Sequence, residues 1–183
     1  VDAFNLTLFQ AIAAGTDPHP LHLAITSAMS SLSGSACLAL LAWMAWRRPG
    51  RIGPLLGALA VCGVVSLVAR DLALMLDVAR PVMRGLSPQH VPHGWHSGLP
   101  STHASAMFAL AFMVVARRGL RHAGAALLAI AALTAWSRVY LGLHFPADIA
   151  AGVLLGAVAT LASLVPARMI WRRAARFQLQ PVR

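Results

Sequence analysis

Two short segments hold the side chains best placed to do chemistry. In SRVYLGLHFPAD, Ser137–Asp148, an arginine, a histidine and an aspartate stand among apolar residues. Pro146 suits the first position of a helix, which puts His144 just before that helix and Asp148 in its first turn. At that separation the Asp148 carboxylate can accept a hydrogen bond from one ring nitrogen of His144, fixing the tautomer and raising the basicity of the other nitrogen. An imidazole held in this way is a nucleophile. Arg138, six residues before His144, carries a fork of donors matched to a tetrahedral oxyanion.

The second segment is ARPVMRGLSPQHVPHGWHSGLPSTH, Ala79–His103. Its prolines and glycines predict a loop that ends at Pro100, after which Ser101–Ala116 reads as a helix with Ser101 and His103 in its first turn. Free N–H groups and the dipole at a helix start favour an anion, and a phosphate fits there. Arg80 adds a second guanidinium. Two arginines, helix-start N–H groups and a serine hydroxyl can hold three phosphoryl oxygens, while two histidines can serve as nucleophile and general acid. That is a phosphoryl-transfer site built by positioning and electrostatics.

Blander readings stand beside these. Arg138, His144 and Asp148 alone can form a structural ion-pair group. His90, His93 and His96 read as solvated loop residues; their spacing resembles a metal site, yet no cysteine or nearby carboxylate completes a set. Arg70 and Asp71 can form a local ion pair near the end of an apolar span. The small residues of Thr26–Cys37 read as allowing close helix packing rather than lining a site.

The elements that must position these groups lie in a membrane. Of the 183 residues 58% are hydrophobic and 11% charged, with a mean hydropathy of +0.71, which excludes an ordinary water-soluble domain. Five apolar spans are predicted: Leu23–Trp46, Pro54–Leu76, Ser101–Ala116, Ala123–Trp136 and Pro146–Ile170. The third and fourth are short for a spanning helix and are expected to extend into the motif segments beside them. The fold expected is an all-α integral-membrane helical bundle, a single domain over residues 1–183. About five transmembrane helices are joined by an N-terminal helix, VDAFNLTLFQAIAAG, that lies on the membrane surface or re-enters it. That segment lacks the basic start and cleavage-like end of a signal peptide.

All 15 basic residues are arginine, against five aspartates, giving a formal charge of +10. Such a charge can indicate nucleic acid, but here the arginines cluster at span ends: Arg47, Arg48 and Arg51; Arg117, Arg118 and Arg121; Arg168, Arg172, Arg173 and Arg176. These fall on alternate connections, so the positive-inside rule places all three clusters in the cytoplasm and both motif segments on the opposite side. Trp43, Trp46, Trp136 and Trp171 read as interfacial anchors. Cys37 and Cys62 lie within spans and imply no disulfide framework.

Taken together, these residues resemble the type 2 phosphatidic acid phosphatase (PAP2) superfamily. Its three-part signature is K-x6-R-P, P-S-x-H and S-R-x5-H-x3-D, matched by Arg80-Pro81, Pro100-Ser101-Thr102-His103, and Ser137-Arg138 with His144 and Asp148. The resemblance implies that His144 attacks phosphorus to form a phosphohistidine, that Asp148 orients it, and that His103 protonates the leaving oxygen. It assigns Arg80, Ser101, Thr102 through its backbone, and Arg138 to the phosphoryl group, with no metal or other cofactor. The signature lysine falls on Ala73. Arg70, one turn earlier, is the expected substitute phosphate ligand, and Arg84 the second candidate.

Within the superfamily, FNLTLF and AIAAGTDP resemble the bacterial undecaprenyl pyrophosphate phosphatases of the BcrC type. The expected partner is therefore an isoprenyl or other lipid phosphate among membrane lipids, and no nucleic acid. The expected location is the bacterial inner membrane, with the site facing the periplasm. Phosphatidylglycerol phosphate, phosphatidate and lipid A phosphate are alternative substrates, and phosphotransfer an alternative reaction. A non-catalytic transporter or lipid scaffold has no evident need for a histidine backed by an aspartate.

Overall fold

The computed structural model describes residues 2–92 and 97–178, with side chains up to residue 165. Six α-helices make up its frame: α1 (Ala3–Ile12), α2 (Pro20–Arg47), α3 (Ile52–Leu76), α4 (Thr102–Val115), α5 (Arg121–Tyr140) and α6 (Pro146–Gln178). Short 3-10 turns precede α3 at Pro49–Arg51 and interrupt the long loop at Val82–Arg84. Four helices, α2, α3, α5 and α6, are long and apolar enough to cross a membrane.

The predicted third span differs from the expectation. α4 has 14 residues, about 21 Å of helix; it takes in Thr102 and His103 of its motif but goes no farther, because Ser101 is its N-cap. It is the central helix, packed against α3, α5 and α6. Burial among neighbours lets a short helix sit at membrane depth, since its end groups meet protein instead of lipid. The fourth span does extend as expected: α5 runs to Tyr140 and takes Ser137 and Arg138 into its last turn.

α4 and α6 pack extensively and at close range. A Cβ on Gly152 would lie 2.9 Å from both the Ala104 Cβ and the Ser101 carbonyl oxygen, and one on Gly156 would lie 2.8 Å from the Ser105 carbonyl. Glycines four residues apart let two membrane helices meet backbone to backbone. That contact brings the start of α4 to the start of α6, where Ser101 N–H donates to the Asp148 carbonyl at 3.0 Å. Lower in the bundle, Leu41, Leu55, Leu110, Leu127 and their neighbours fill the apolar core.

The N-terminal helix packs on α5 and α6. Phe9 is buried against Phe145 with ring centroids 5.3 Å apart, while Phe4 on the same helix is exposed. Asn5 Oδ1 accepts the Ala147 N–H at 3.1 Å, satisfying one of the open donors in the first turn of α6. α1 thus braces the segment that carries His144.

Candidate active site

Pro146 opens α6, so the chain before it must turn sharply out of α5. Gly142, at φ +73°, makes that turn in a conformation that side chains disfavour. His144 and Phe145 follow, and Asp148 Oδ2 accepts the Phe145 N–H at 2.9 Å. This local bond fixes the carboxylate beneath the imidazole. His144 Nδ1 lies 3.4 Å from Asp148 Oδ2 and 3.0 Å from the Gly98 carbonyl oxygen.

Both neighbours of Nδ1 are acceptors, so Nδ1 carries the proton and Nε2 keeps its lone pair. The sequence predicts Asp148 alone in this role; the Gly98 carbonyl joins it at the shorter distance. His144 and Asp148 are 2% and 3% exposed. Burial, reinforced by the positive fields of Arg138 and Arg80 and opposed by Asp148, lowers the pKa of His144 to about 4. The ring is therefore neutral at physiological pH.

Arg80, buried in the loop after α3, donates through Nε and Nη2 to the Ser97 carbonyl at 3.4 and 3.3 Å. Its Nη1 is buried and has no hydrogen-bond partner among the described residues. Burial draws its pKa below the usual arginine value, with Asp148 opposing the shift. Arg138, 4% exposed in the last turn of α5, donates through Nη1 to Ser30 Oγ at 3.2 Å. Ser30 belongs to the stretch read as a packing surface, and here it has a second use. Thr26, Ser30, Ser33 and Cys37 are all buried along one side of α2. A buried small-polar stripe at that spacing is the signal that could have exposed the role.

Gly98 sits between the parts. A Cβ there would lie 2.9 Å from Asp148 Oδ2 and 3.1 Å from Arg80 Cγ. Its N–H donates to the Val78 carbonyl at 2.8 Å, while Ser97 Oγ accepts the Val78 N–H at 2.8 Å. The two ends of the long loop are thereby laced together over the start of α6. Ser101 is fully buried and its hydroxyl accepts the Ala104 N–H at 3.4 Å. Thr102 and His103 follow on the first turn of α4 and line a cleft of about 270 Å³, with Gly34, Cys37, Leu59 and Cys62 among its other walls.

The structure thus gathers His144, Asp148, Arg80, Arg138 and Ser101, with Thr102 and His103 on the adjoining turn. Arg70 is placed otherwise: it is exposed on α3, and no hydrogen bond or ion pair joins it to Asp71 or to the other candidates among the described residues. Ala73 is buried on that helix, whereas Arg70, three residues earlier and about 60° round the helix axis, is exposed. Arg84 lies nearer, with its guanidinium 5.9 Å from the Phe145 ring centroid, next in sequence to His144. His90 Nε2 is 2.9 Å from the Gly15 carbonyl; His93 and His96 lie outside the described residues.

Three comparisons bear on this arrangement. The family model described as PAP2 superfamily matches residues 51–172. A curated protein of Escherichia coli (strain K12), named "Putative undecaprenyl-diphosphatase YbjG", is 31% identical over 177 residues, spanning 94% of this chain and 85% of the relative. Among solved structures, that of Aquifex aeolicus LpxE superposes with a TM-score of 0.69 at 26% identity, covering 89% of this chain and 96% of its own. A PAP2-type phosphatidylglycerolphosphate phosphatase from Bacillus subtilis superposes with a TM-score of 0.65 at 19% identity, over 99% and 88% of the two chains, and shares the fold.

Proposed function

The chain belongs to the PAP2 superfamily of membrane lipid phosphatases, and from that premise we propose that it hydrolyses undecaprenyl diphosphate to undecaprenyl phosphate and inorganic phosphate. The observation that carries the chemistry is the His144 ring, buried and neutral, with Nδ1 turned to two acceptors and Nε2 left as the nucleophile.

In the first step Nε2 attacks the terminal phosphorus in line with the bridging oxygen. The P–N bond forms as the P–O bond breaks, and His103 gives its proton to the departing lipid monophosphate. Arg80 and Arg138, the Ser101 hydroxyl and the backbone N–H of Thr102 hold the three non-bridging oxygens, where charge is concentrated in the transition state. Arg80 Nη1 is a buried donor suited to one of them. In the second step water attacks the phosphohistidine, His103 takes its proton, and the P–N bond breaks to release phosphate. Asp148 and Gly98 balance the positive charge that develops on the ring in both steps.

The lipid tail has a route suited to it. The cleft beside Thr102 and His103 is walled by apolar residues of α2, α3 and α4. A hydrocarbon chain lying there sets its diphosphate at the start of α4. Arg47, Arg48 and Arg51 share the opposite end of the bundle with Arg117, Arg118 and Arg121, since α2 and α5 run antiparallel and Arg48 bonds to Gly119. The positive-inside rule then supports a site facing the periplasm.

Phosphate release from a panel of detergent-solubilised lipids tests the substrate. The expected order places undecaprenyl diphosphate at least ten-fold above phosphatidylglycerol phosphate, phosphatidate and lipid A phosphate in kcat/KM. Equal or faster turnover of one of the others would reassign the substrate while leaving the chemistry standing.

A further inference from the structure

At the end of the bundle opposite the site, a cavity of about 330 Å³ opens between the last turn of α2 and the start of α5, with Trp43, Met44, Arg47, Arg48, Gly119 and His122 among its walls. The Arg47 guanidinium stacks over the Trp43 ring at 5.9 Å, and Arg48 Nη1 donates to the Gly119 carbonyl. Gly119, at φ +82°, leaves space beside them: a Cβ there would lie 3.6 Å from Arg48 Nη1 and 3.7 Å from Arg51 Nη2. Two guanidinium groups, those of Arg47 and Arg48, therefore line one cavity, and the Arg51 guanidinium approaches it beside Gly119. α5 starts beside it without a side-chain cap, which adds a weak preference for an anion.

Among the described residues no carboxylate answers this charge. The five aspartates lie at the N-cap of α1, on the connection to α2, on the last turns of α3 and its end, and at the start of α6, all toward the other end of the bundle. Membrane topology accounts for an excess of arginine on one side. It does not require the arginines to line a cavity, and Arg118 and Arg121, which are exposed to solvent, meet the topological need without doing so.

We propose that this cavity binds the phosphodiester headgroup of an anionic phospholipid from the leaflet at this end. Planar guanidinium forks suit phosphate oxygens, and the volume accommodates a glycerophosphate headgroup. A lipid fits better than free phosphate because the cavity lies at the interface level. Trp43 and Trp46 are exposed there as amphipathic rings, and Leu32 and Leu38 face outward farther along α2, where acyl chains can run. Basic pockets between membrane helices are established hosts for anionic headgroups.

The test uses the purified full chain in a non-ionic detergent, with binding of short-chain phosphatidylglycerol, phosphatidylcholine and inorganic phosphate followed by native mass spectrometry and titration. Phosphatidylglycerol is expected to bind at least ten-fold more tightly than phosphatidylcholine and to resist displacement by equimolar phosphate. Arg47→Gln and Arg48→Gln are each expected to weaken phosphatidylglycerol binding about five-fold, and Arg118→Gln less than two-fold. Melting curves without lipid identify a misfolded variant, in which case the wild-type lipid comparison and the other variant decide. Equal binding of the two lipids, displacement by equimolar phosphate, or an Arg118→Gln loss equal to that of Arg48→Gln would overturn the proposal.

Discussion

His144 Nδ1 lies 3.0 Å from the carbonyl oxygen of Gly98, closer than the 3.4 Å that separates it from the Asp148 carboxylate. The proposed nucleophile is thus held from two sides, by a backbone carbonyl on the long loop and a carboxylate on α6. A carbonyl fixes the tautomer as well as an acid does, while the acid adds the charge that stabilises an imidazolium-like ring.

Gly98→Ala tests this dual support. The added Cβ meets Asp148 Oδ2 at 2.9 Å and Arg80 Cγ at 3.1 Å, so the carbonyl must shift and take the ring with it. A displacement of this size is expected to lower kcat on the order of 100-fold, with the melting temperature changed much less. Steady-state kinetics and a melting curve on the same preparation check it; wild-type kcat would show that the carbonyl does not position the ring.

The pH dependence follows from the direction of the His144 shift. Burial comes first among its causes, and a lowered pKa keeps the imidazole deprotonated to lower pH. The acid limb of kcat/KM, corrected for ionisation of the substrate, is expected near pH 4, where the ordinary value of 6.5 would place it more than two pH units higher. The proposed mechanism needs a protonated donor, so an alkaline limb is expected as well. By linkage, the same shift contributes stability that is complete above about pH 6.5 and is lost as the pH falls toward 4, because the unfolded chain takes the proton first. An acid limb at 6.5 would contradict a buried neutral nucleophile.

Ser30→Ala removes the acceptor that holds Arg138 Nη1 at 3.2 Å. Hydrogen bonds to charged groups are worth about 1.5–3 kcal/mol, and a guanidinium that is no longer aimed binds the transition state less well. A loss of about ten-fold in kcat/KM is expected, measured against the unchanged binding-independent signal of the melting curve. Identical kinetics would make the contact structural.

Arg84 and Arg70 compete as substitutes for the lysine that the PAP2 signature places at Ala73. Arg84 lies over the Phe145 ring, and Arg70 is exposed on α3 with no hydrogen bond or ion pair to the site among the described residues. Arg84→Ala is expected to reduce kcat/KM at least five-fold more than Arg70→Ala. Paired kinetics decide it, and the reverse order would return the role to Arg70.

Much of this was legible in the residues themselves. The spans followed from hydropathy, and Pro146 fixed the start of α6 along with the places of His144 and Asp148, because proline at a helix start has a local cause. What escaped was non-local. The Gly98 carbonyl carries no side chain to read, and Ser30 reaches Arg138 across 108 positions of sequence. Asn5 caps α6 from another helix altogether. The short α4 was hidden for a related reason: its burial depends on neighbours, while length arguments assume lipid on all sides.

In the proposed mechanism phosphorus becomes bonded to His144. Rapid acid-free quenching of wild-type enzyme during turnover of undecaprenyl diphosphate labelled at its terminal phosphorus, followed by peptide mapping, reads this directly. An acid-labile, alkali-stable label is expected on the peptide containing His144, and in His144→Ala neither label nor phosphate release. Continued phosphate release by His144→Ala, or label on another residue, would contradict it.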